Sequence, residues 1–204
     1  MKAARTLTTL LLLISAMGCD SPAEMGTSER NPADVNMKQA AEKADAIMQQ
    51  TLSGVTPELR WNHGPSNDHI CTDFKNDSLG SGSVRRRIAV MTVVSTERRG
   101  SLLGVVERNW KARGYKITSV DADVDLPAIY AATDEGFKMS VAVGGQGQFF
   151  LSITTPCFTQ SPVPAPAPEP NTPHRTGGYP QPPDVHDHFW SSRDPLPASS
   201  PSTP

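Results

Sequence analysis

The chain has 204 residues, of which 37% are hydrophobic and 20% charged, and its 19 basic and 21 acidic residues give a formal net charge of −2. This balance excludes the usual nucleic-acid-binding proteins, which carry a clustered basic face. Neither end of the chain has the composition of a folded segment, so its length leaves room for one domain.

The first 18 residues have the pattern of a lipoprotein signal peptide. Lys2 and Arg5 precede an apolar run, which ends in small residues directly before Cys19. The run is too short to span a bilayer as a mature helix. A small residue followed by cysteine is typical of the site where the cysteine is acylated and becomes the mature N-terminus. Three residues before the cysteine, where leucine is usual, this chain has Ala16. We therefore expect lipidation of Cys19, with the protein held on the extracytoplasmic face of the cell membrane.

Residues 19–35 are polar and small, which predicts a flexible tether. The domain is expected over residues 36–158, and it opens with apolar residues at helical spacing up to Leu52. Asn36 suits the N-cap of this first helix, and Gly54 suits its end.

The middle of the domain predicts short strands near Trp61 and over 70–74, a flexible loop over 76–83, and a central strand over 85–95. That last segment is apolar on both faces, as a strand buried on both sides requires. A second helix is expected over 100–113, with Gly114 at the C′ position.

Four apolar segments then alternate with turns, which indicates an antiparallel meander. The segments are 115–120, 128–132, 137–143 and 149–155. Helices followed by a run of strands predict an α+β fold, with two helices on one face of an antiparallel sheet of about five strands. Cys71 and Cys157 are the two cysteines left after Cys19, and export to an oxidising compartment predicts that they form one disulfide.

Residues 159–204 differ abruptly in composition from the domain. Proline supplies 13 of these 46 residues, and aliphatic side chains are scarce. Such a segment buries too little apolar surface to offset the entropy of ordering. The sequence therefore predicts a disordered, extended Pro-rich tail, acting as a spacer or as a ligand for a cell-wall partner.

Several short segments of the sequence resemble those of a family of small uncharacterised lipoproteins of Streptomyces-type actinobacteria. They include Trp61-Asn62-His63-Gly64-Pro65, Ala89-Val90-Met91-Thr92-Val93-Val94-Ser95, Glu97-Arg98-Arg99-Gly100, Leu103-Gly104-Val105-Val106-Glu107-Arg108 and Thr155-Pro156-Cys157. The resemblance runs from the first helix to Cys157, and the long Pro-rich tail departs from it. It implies lipidation and a cell-surface address, and it brings no established activity or site residues.

The histidines offer two candidate metal sites. His63 and His69 lie six residues apart near Cys71, and a zinc site would use such nitrogen and thiolate ligands. A disulfide at Cys71 removes the thiolate, so a structural turn is favoured. His186 and His188 form a second pair, but they fall in the predicted tail without further ligands.

Two arginine-rich segments offer candidate anion sites. Arg85-Arg86-Arg87 could form a patch with Arg98-Arg99, but strand alternation points Arg86 away from its neighbours, and a solvated edge is the favoured alternative. The start of the second helix, over 97–101, could hold an anion on its backbone amides. The glycines over 144–147 indicate a hairpin turn rather than a phosphate loop.

These patterns favour a membrane-anchored extracytoplasmic lipoprotein that acts as a non-enzymatic binding or envelope-associated module. No catalytic residue, metal or cofactor is predicted, and the expected partners are the membrane, through the lipid on Cys19, and a cell-envelope or protein component. The alternative is an envelope hydrolase or metal-dependent enzyme that uses His63 and His69. A concave pocket with convergent titratable groups would favour the enzyme, and an exposed face or apolar patch would favour the binding module.

Overall fold

The computed structural model describes residues 35–173 and 175–196, and within them two helices, α1 (Met37–Ser53) and α2 (Thr96–Ala112). Helix α1 begins at the predicted cap, where Asn36 Oδ1 accepts the Gln39 N–H at 3.1 Å and Gln39 Oε1 accepts the Asn36 N–H at 3.1 Å. This reciprocal capping box satisfies two amides that the helix itself leaves unpaired. In the described ranges no helix combines the length and the apolar character needed to cross a membrane.

Helix α2 begins four residues earlier than predicted, at Thr96. Ser95 precedes it without capping it, because the Ser95 hydroxyl donates to the carbonyl of Ser192 at 2.6 Å. Gly114 lies just beyond the helix with a φ of 81°, the left-handed conformation that was expected of it.

Eight antiparallel strands form a single sheet in the part of the chain that the structure describes. They are β1 (Trp61–His63), β2 (Asn67–Thr72), β3 (Ser78–Val90), β4 (Lys116–Asp121), β5 (Ala128–Ala132), β6 (Lys138–Val143), β7 (Phe149–Thr154) and β8 (Phe158–Thr159). Their order is β1-β3-β7-β6-β5-β4, and β2 and β8 also pair with β3. The predicted α+β architecture is confirmed, including the meander from β4 to β7.

The expectation of about five strands was too low. Strand β3 begins at Ser78 rather than at Arg85, so most of the predicted loop over 76–83 belongs to it. Its polar first half is held by hydrogen bonds to β2 and β8 and not by apolar burial, which is why hydrophobic periodicity did not reveal it.

The core lies between the sheet and both helices. Ile88 and Val90 of β3 face the helices, and with the inward residues of β5 to β7 they form one apolar cluster. Trp110 of α2 is fully buried in this cluster, and its Nε1 donates to Thr51 Oγ1 of α1 at 2.9 Å. The indole therefore joins the two helices without leaving a buried donor unpaired.

The predicted disulfide is present between Cys71 of β2 and Cys157, which directly precedes β8, across a sequence separation of 86 residues. Both flanking strands pair with β3. The bond therefore joins the two short strands that lie beside the first half of β3.

The prediction of a disordered tail over 159–204 is wrong for residues 159–196. Residues 160–173 and 175–196, here called the strap, run across the domain, and Trp190 is only 1% exposed within the main core. Residues 197–204, the predicted signal peptide and Cys19 lie outside the described residues. Composition did not reveal this order, because the strap is held by hydrogen bonds to the domain and by the large aromatic side chain of Trp190, not by burial of aliphatic side chains.

Candidate functional site

The strap covers the outer edge of β1, which would otherwise expose unpaired backbone groups. Asn171 Oδ1 accepts the Trp61 N–H at 2.8 Å, and Thr172 Oγ1 donates to the Trp61 carbonyl at 2.8 Å. Just before them, the carbonyl of Pro168 lies 2.8 Å from His63 Nε2. Side chains of the strap thus take the place of a neighbouring strand.

The end of the strap returns to the loop after β3 and enters the core. The Val185 carbonyl accepts the Val93 N–H at 2.8 Å, and the carboxylate of Asp187 accepts the Phe189 and Trp190 N–H groups, each at 2.8 Å. The indole Nε1 of Trp190 donates to the carbonyl of Pro57 at 2.8 Å. The strap is therefore anchored on both sides of its middle portion.

A cavity of about 340 Å³ lies between this middle portion and the sheet, and we call it the strap cavity. Ala89 and Met91 contribute to its apolar lining, and Pro170, Gly177 and Tyr179 contribute from the strap. Its polar groups come from five side chains, those of Asn62, His63, Arg175, Gln181 and, through its hydroxyl, Tyr179. A mainly apolar hollow with a few polar groups is the usual composition of a small-molecule site.

The strap is closed over the cavity by an ion pair between two of its own residues. Arg175 Nε lies 3.0 Å from Asp184 Oδ2, and Nη2 lies 2.5 Å from Oδ1, so the pairing is bidentate. Bidentate pairing fixes orientation as well as distance. The ion pair therefore closes residues 175–184 into a loop beside the cavity.

Tyr179 packs this loop against the outer face of the sheet. Its ring centroid lies 6.0 Å from that of Phe150, and the guanidinium of Arg87 lies 4.8 Å above the Phe150 ring. The approach is close enough that a Cβ at Gly64 would lie 2.8 Å from the Tyr179 hydroxyl oxygen. Burial raises the pKa of Tyr179 above its ordinary value of 10.0, although Arg87 acts in the opposite direction.

A buried ion pair lies where the strap passes α1. Arg86 of β3 is 1% exposed, and its Nε lies 3.1 Å from Asp45 Oδ1. The guanidinium also donates to Ser66 Oγ at 2.5 Å and to the Pro164 carbonyl at 2.8 Å, and Asp45 Oδ2 accepts the Ala167 N–H at 3.3 Å. Desolvation raises the pKa of Asp45 above 3.8, although Arg86 acts in the opposite direction.

The candidate arginine patch does not form one surface. Arg86 points toward the helices, as strand alternation indicated, whereas Arg87 lies on the opposite face against Phe150. Arg98 is also buried, with its Nε donating to the Phe189 carbonyl at 3.0 Å. These charges instead connect the domain with the strap.

The start of α2 borders a polar hollow of about 440 Å³, which Ser95, Thr96, Arg99 and Arg193 help to line. Arg99 Nη1 already donates to the Asp125 carbonyl at 2.7 Å. The anion site that the sequence offered as a candidate over 97–101 stays a hypothesis.

The histidines singled out in the sequence are not brought together. His63 pairs with Ile88 and His69 with Ser83, so the two are separated by five residues along β3 and lie on opposite faces. His186 and His188 are exposed on the strap. Across 35–173 and 175–196 no group of three or more His, Cys, Asp or Glu side chains could hold a metal ion.

Comparison with known proteins gives two similar solved structures. A DUF4853 family protein from Actinomyces odontolyticus has 15% identity and a TM-score of 0.39, with 66% of this chain and 76% of that chain covered. The "putative lipoprotein LppA" from Mycobacterium tuberculosis has 10% identity and a TM-score of 0.36, with 61% and 76% covered. No family model and no curated protein matches the sequence.

Proposed function

We propose that the protein is a lipid-anchored extracytoplasmic binding module whose ligand occupies the strap cavity. The observation that carries this proposal is the cavity of about 340 Å³ between the sheet and a strap that is anchored on both sides of it. Its volume lies within the range of sites for small molecules. The ligand class that fits is a compact, mainly apolar molecule with a polar end.

The polar lining suits recognition more than bond-breaking. His63 Nε2 is already in contact with the Pro168 carbonyl, and Arg175 is paired with Asp184. The phenol of Tyr179 is protonated at neutral pH, and burial raises its pKa further. The Tyr179 hydroxyl and the Arg175 guanidinium can donate hydrogen bonds to a ligand and set its orientation, which is the part that polar groups play in an apolar binding site.

Two features of the chain support the extracytoplasmic address. The sequence up to Cys19 has the charged, apolar and small-residue segments of a lipoprotein signal. The disulfide between Cys71 and Cys157 is of the kind that persists in oxidising compartments.

The cavity can be tested by filling it from its floor. In Ala89→Leu the added carbons occupy space beside Met91, so we expect saturable binding of the amphipathic dye 1-anilinonaphthalene-8-sulfonate to be lost. The matched control is Ala142→Leu, because Ala142 also pairs with Phe150, from the other side of β7, and does not line the cavity.

Overpacking costs about 1 to 3 kcal/mol, so circular dichroism must first show that both variants fold. Fluorescence titration then compares dye binding at equal protein concentration. Equal binding by wild type and Ala89→Leu would place the dye outside the strap cavity and count against the proposal.

The lipid anchor has a direct test. Cells grown with radiolabelled palmitate should label the wild-type protein, and Cys19→Ala should be unlabelled and absent from the acylated fraction, because the acylated thiol is gone. Equal labelling of Cys19→Ala would show that the junction at Gly18 and Cys19 is not the site of lipidation.

A further inference from the structure

The hairpin formed by β2 and the first half of β3, residues 67–83, carries unusually exposed apolar side chains. We call it the hairpin arm. Phe74 at its tip is 90% exposed, Ile70 is 64% exposed and Leu79 is 60% exposed. Large apolar side chains grouped on one projection indicate a contact surface rather than chance exposure.

The tip is built to hold Phe74 in this exposed position. Asp73 Oδ1 accepts the N–H groups of Lys75 at 2.8 Å and Asp77 at 2.9 Å, and the Asp73 N–H donates to the Asp77 carbonyl at 3.0 Å. Asn76 adopts a φ of 67°, which asparagine tolerates well. The turn is therefore fixed by its own hydrogen bonds, and Phe74 does not fold back onto the domain.

The base of the arm is attached to the body of the domain. The bond between Cys71 and Cys157 joins β2 to the segment before β8, and β8 pairs with β3 at Ser81 and Gly82. Because the disulfide and the pairing with β8 hold the base of the arm on the domain, a contact made by Phe74 also fixes the position of the domain.

The arm lies beside the point where the N-terminal segment joins the domain. Asn36 forms a bridge with Thr159, which pairs with Ser81 of the arm, and Met37 packs against Gly82. Val35 lies 16 positions after Cys19, a separation that can span at most about 55 Å. A lipid on Cys19 therefore keeps this end of the domain within reach of the membrane surface.

We propose that Phe74, at the tip of the hairpin arm, inserts into the surface of the membrane to which Cys19 is anchored. This inference rests on the lipid anchor of the proposed function. Phenylalanine favours the boundary between headgroups and acyl chains. The turn carries the carboxylates of Asp73 and Asp77 and the ammonium group of Lys75, so it has no net positive charge that would attract anionic lipid. A zwitterionic membrane surface is therefore the appropriate probe.

Phe74→Trp provides the experiment, because the three native tryptophans are buried, with exposures of 5% at Trp61, 0% at Trp110 and 1% at Trp190. The lipidated full-length chain is reconstituted on phosphatidylcholine vesicles with and without brominated acyl chains. We expect the extra emission of Phe74→Trp to shift to the blue and to be quenched by the brominated lipid. Val124→Trp is the control, because Val124 is 78% exposed beside β4, at the other edge of the sheet.

Flotation of each variant with the vesicles tests the lipid anchor on Cys19 separately from the membrane contact of Phe74. Protein that floats but shows no quenching at position 74, or equal quenching at position 124, overturns the membrane contact and leaves the anchor intact. Protein that does not float overturns the anchor, and the membrane contact with it.

Discussion

Replacing Trp190 with alanine should lower the free energy of unfolding by about 3 to 5 kcal/mol, the usual cost of removing a large buried aromatic side chain. The indole is 1% exposed inside the main core, although it comes from the strap. The substitution would open a cavity beside Pro57 and also remove the hydrogen bond to the Pro57 carbonyl.

The matched control is Trp190→Phe, which keeps most of the apolar volume and loses only the indole donor. Its expected cost is smaller, because leaving one buried carbonyl unsatisfied costs about 1 to 3 kcal/mol. Guanidinium unfolding followed by circular dichroism at 222 nm measures both variants without relying on tryptophan fluorescence.

Limited proteolysis gives an independent test of whether Trp190 holds the strap on the domain. The wild-type chain should yield a resistant fragment that extends past Trp190, and Trp190→Ala should be trimmed within the strap. A wild-type core that ends near Cys157, together with an unfolding free energy unchanged by Trp190→Ala, would show that the strap does not pack on the domain in solution.

Replacing Asp45 with alanine should cost about 3 to 5 kcal/mol, because it leaves the guanidinium of Arg86 buried without its counter-charge. The remaining partners of Arg86 are neutral, namely the Ser66 hydroxyl and the Pro164 carbonyl. The double variant Asp45→Ala with Arg86→Met removes both charges and should be less destabilised than Asp45→Ala alone. A double variant at least as unstable as the single one would contradict the assignment of this cost to an unpaired charge.

The reverse single variant, Arg86→Met, should depend on pH in a defined direction. The pKa of Asp45 is already raised above 3.8 in the folded state, and loss of Arg86 removes the largest influence that lowers it. The folded chain then holds the proton more tightly than the unfolded chain, so the unfolding free energy should fall as pH rises from about 3.8 through the raised pKa. The same unfolding experiment at several pH values measures this slope, which Asp45→Asn in the Arg86→Met background should abolish.

The sequence predicted the elements whose signals are local. The apolar stripe of α1 with its Asn36 cap, the left-handed Gly114 after α2 and the alternating strands of the meander all follow from residues a few positions apart. The Cys71–Cys157 bond followed from cysteine count and export, which do not depend on the fold.

The candidate site could not be predicted in this way, because one of its walls is the strap. Asn171 and Thr172 contact Trp61 across sequence separations of 110 and 111 residues, and no local pattern encodes such pairs. A signal that departed from the Pro-rich background was the aromatic pair Phe189 and Trp190, since an exposed tail gains nothing from such side chains. Composition averaged over 46 residues concealed Trp190, which enters the core.

The burial of Trp190 also governs when the domain can finish folding. The hydrogen bond from its indole to Pro57 joins residues 133 positions apart. Contacts of such long sequence separation slow folding, because the chain must first close a large loop. Until the strap has docked, the apolar surface around Pro57 is uncovered, so the core is complete only after residues from both ends of the domain have come together.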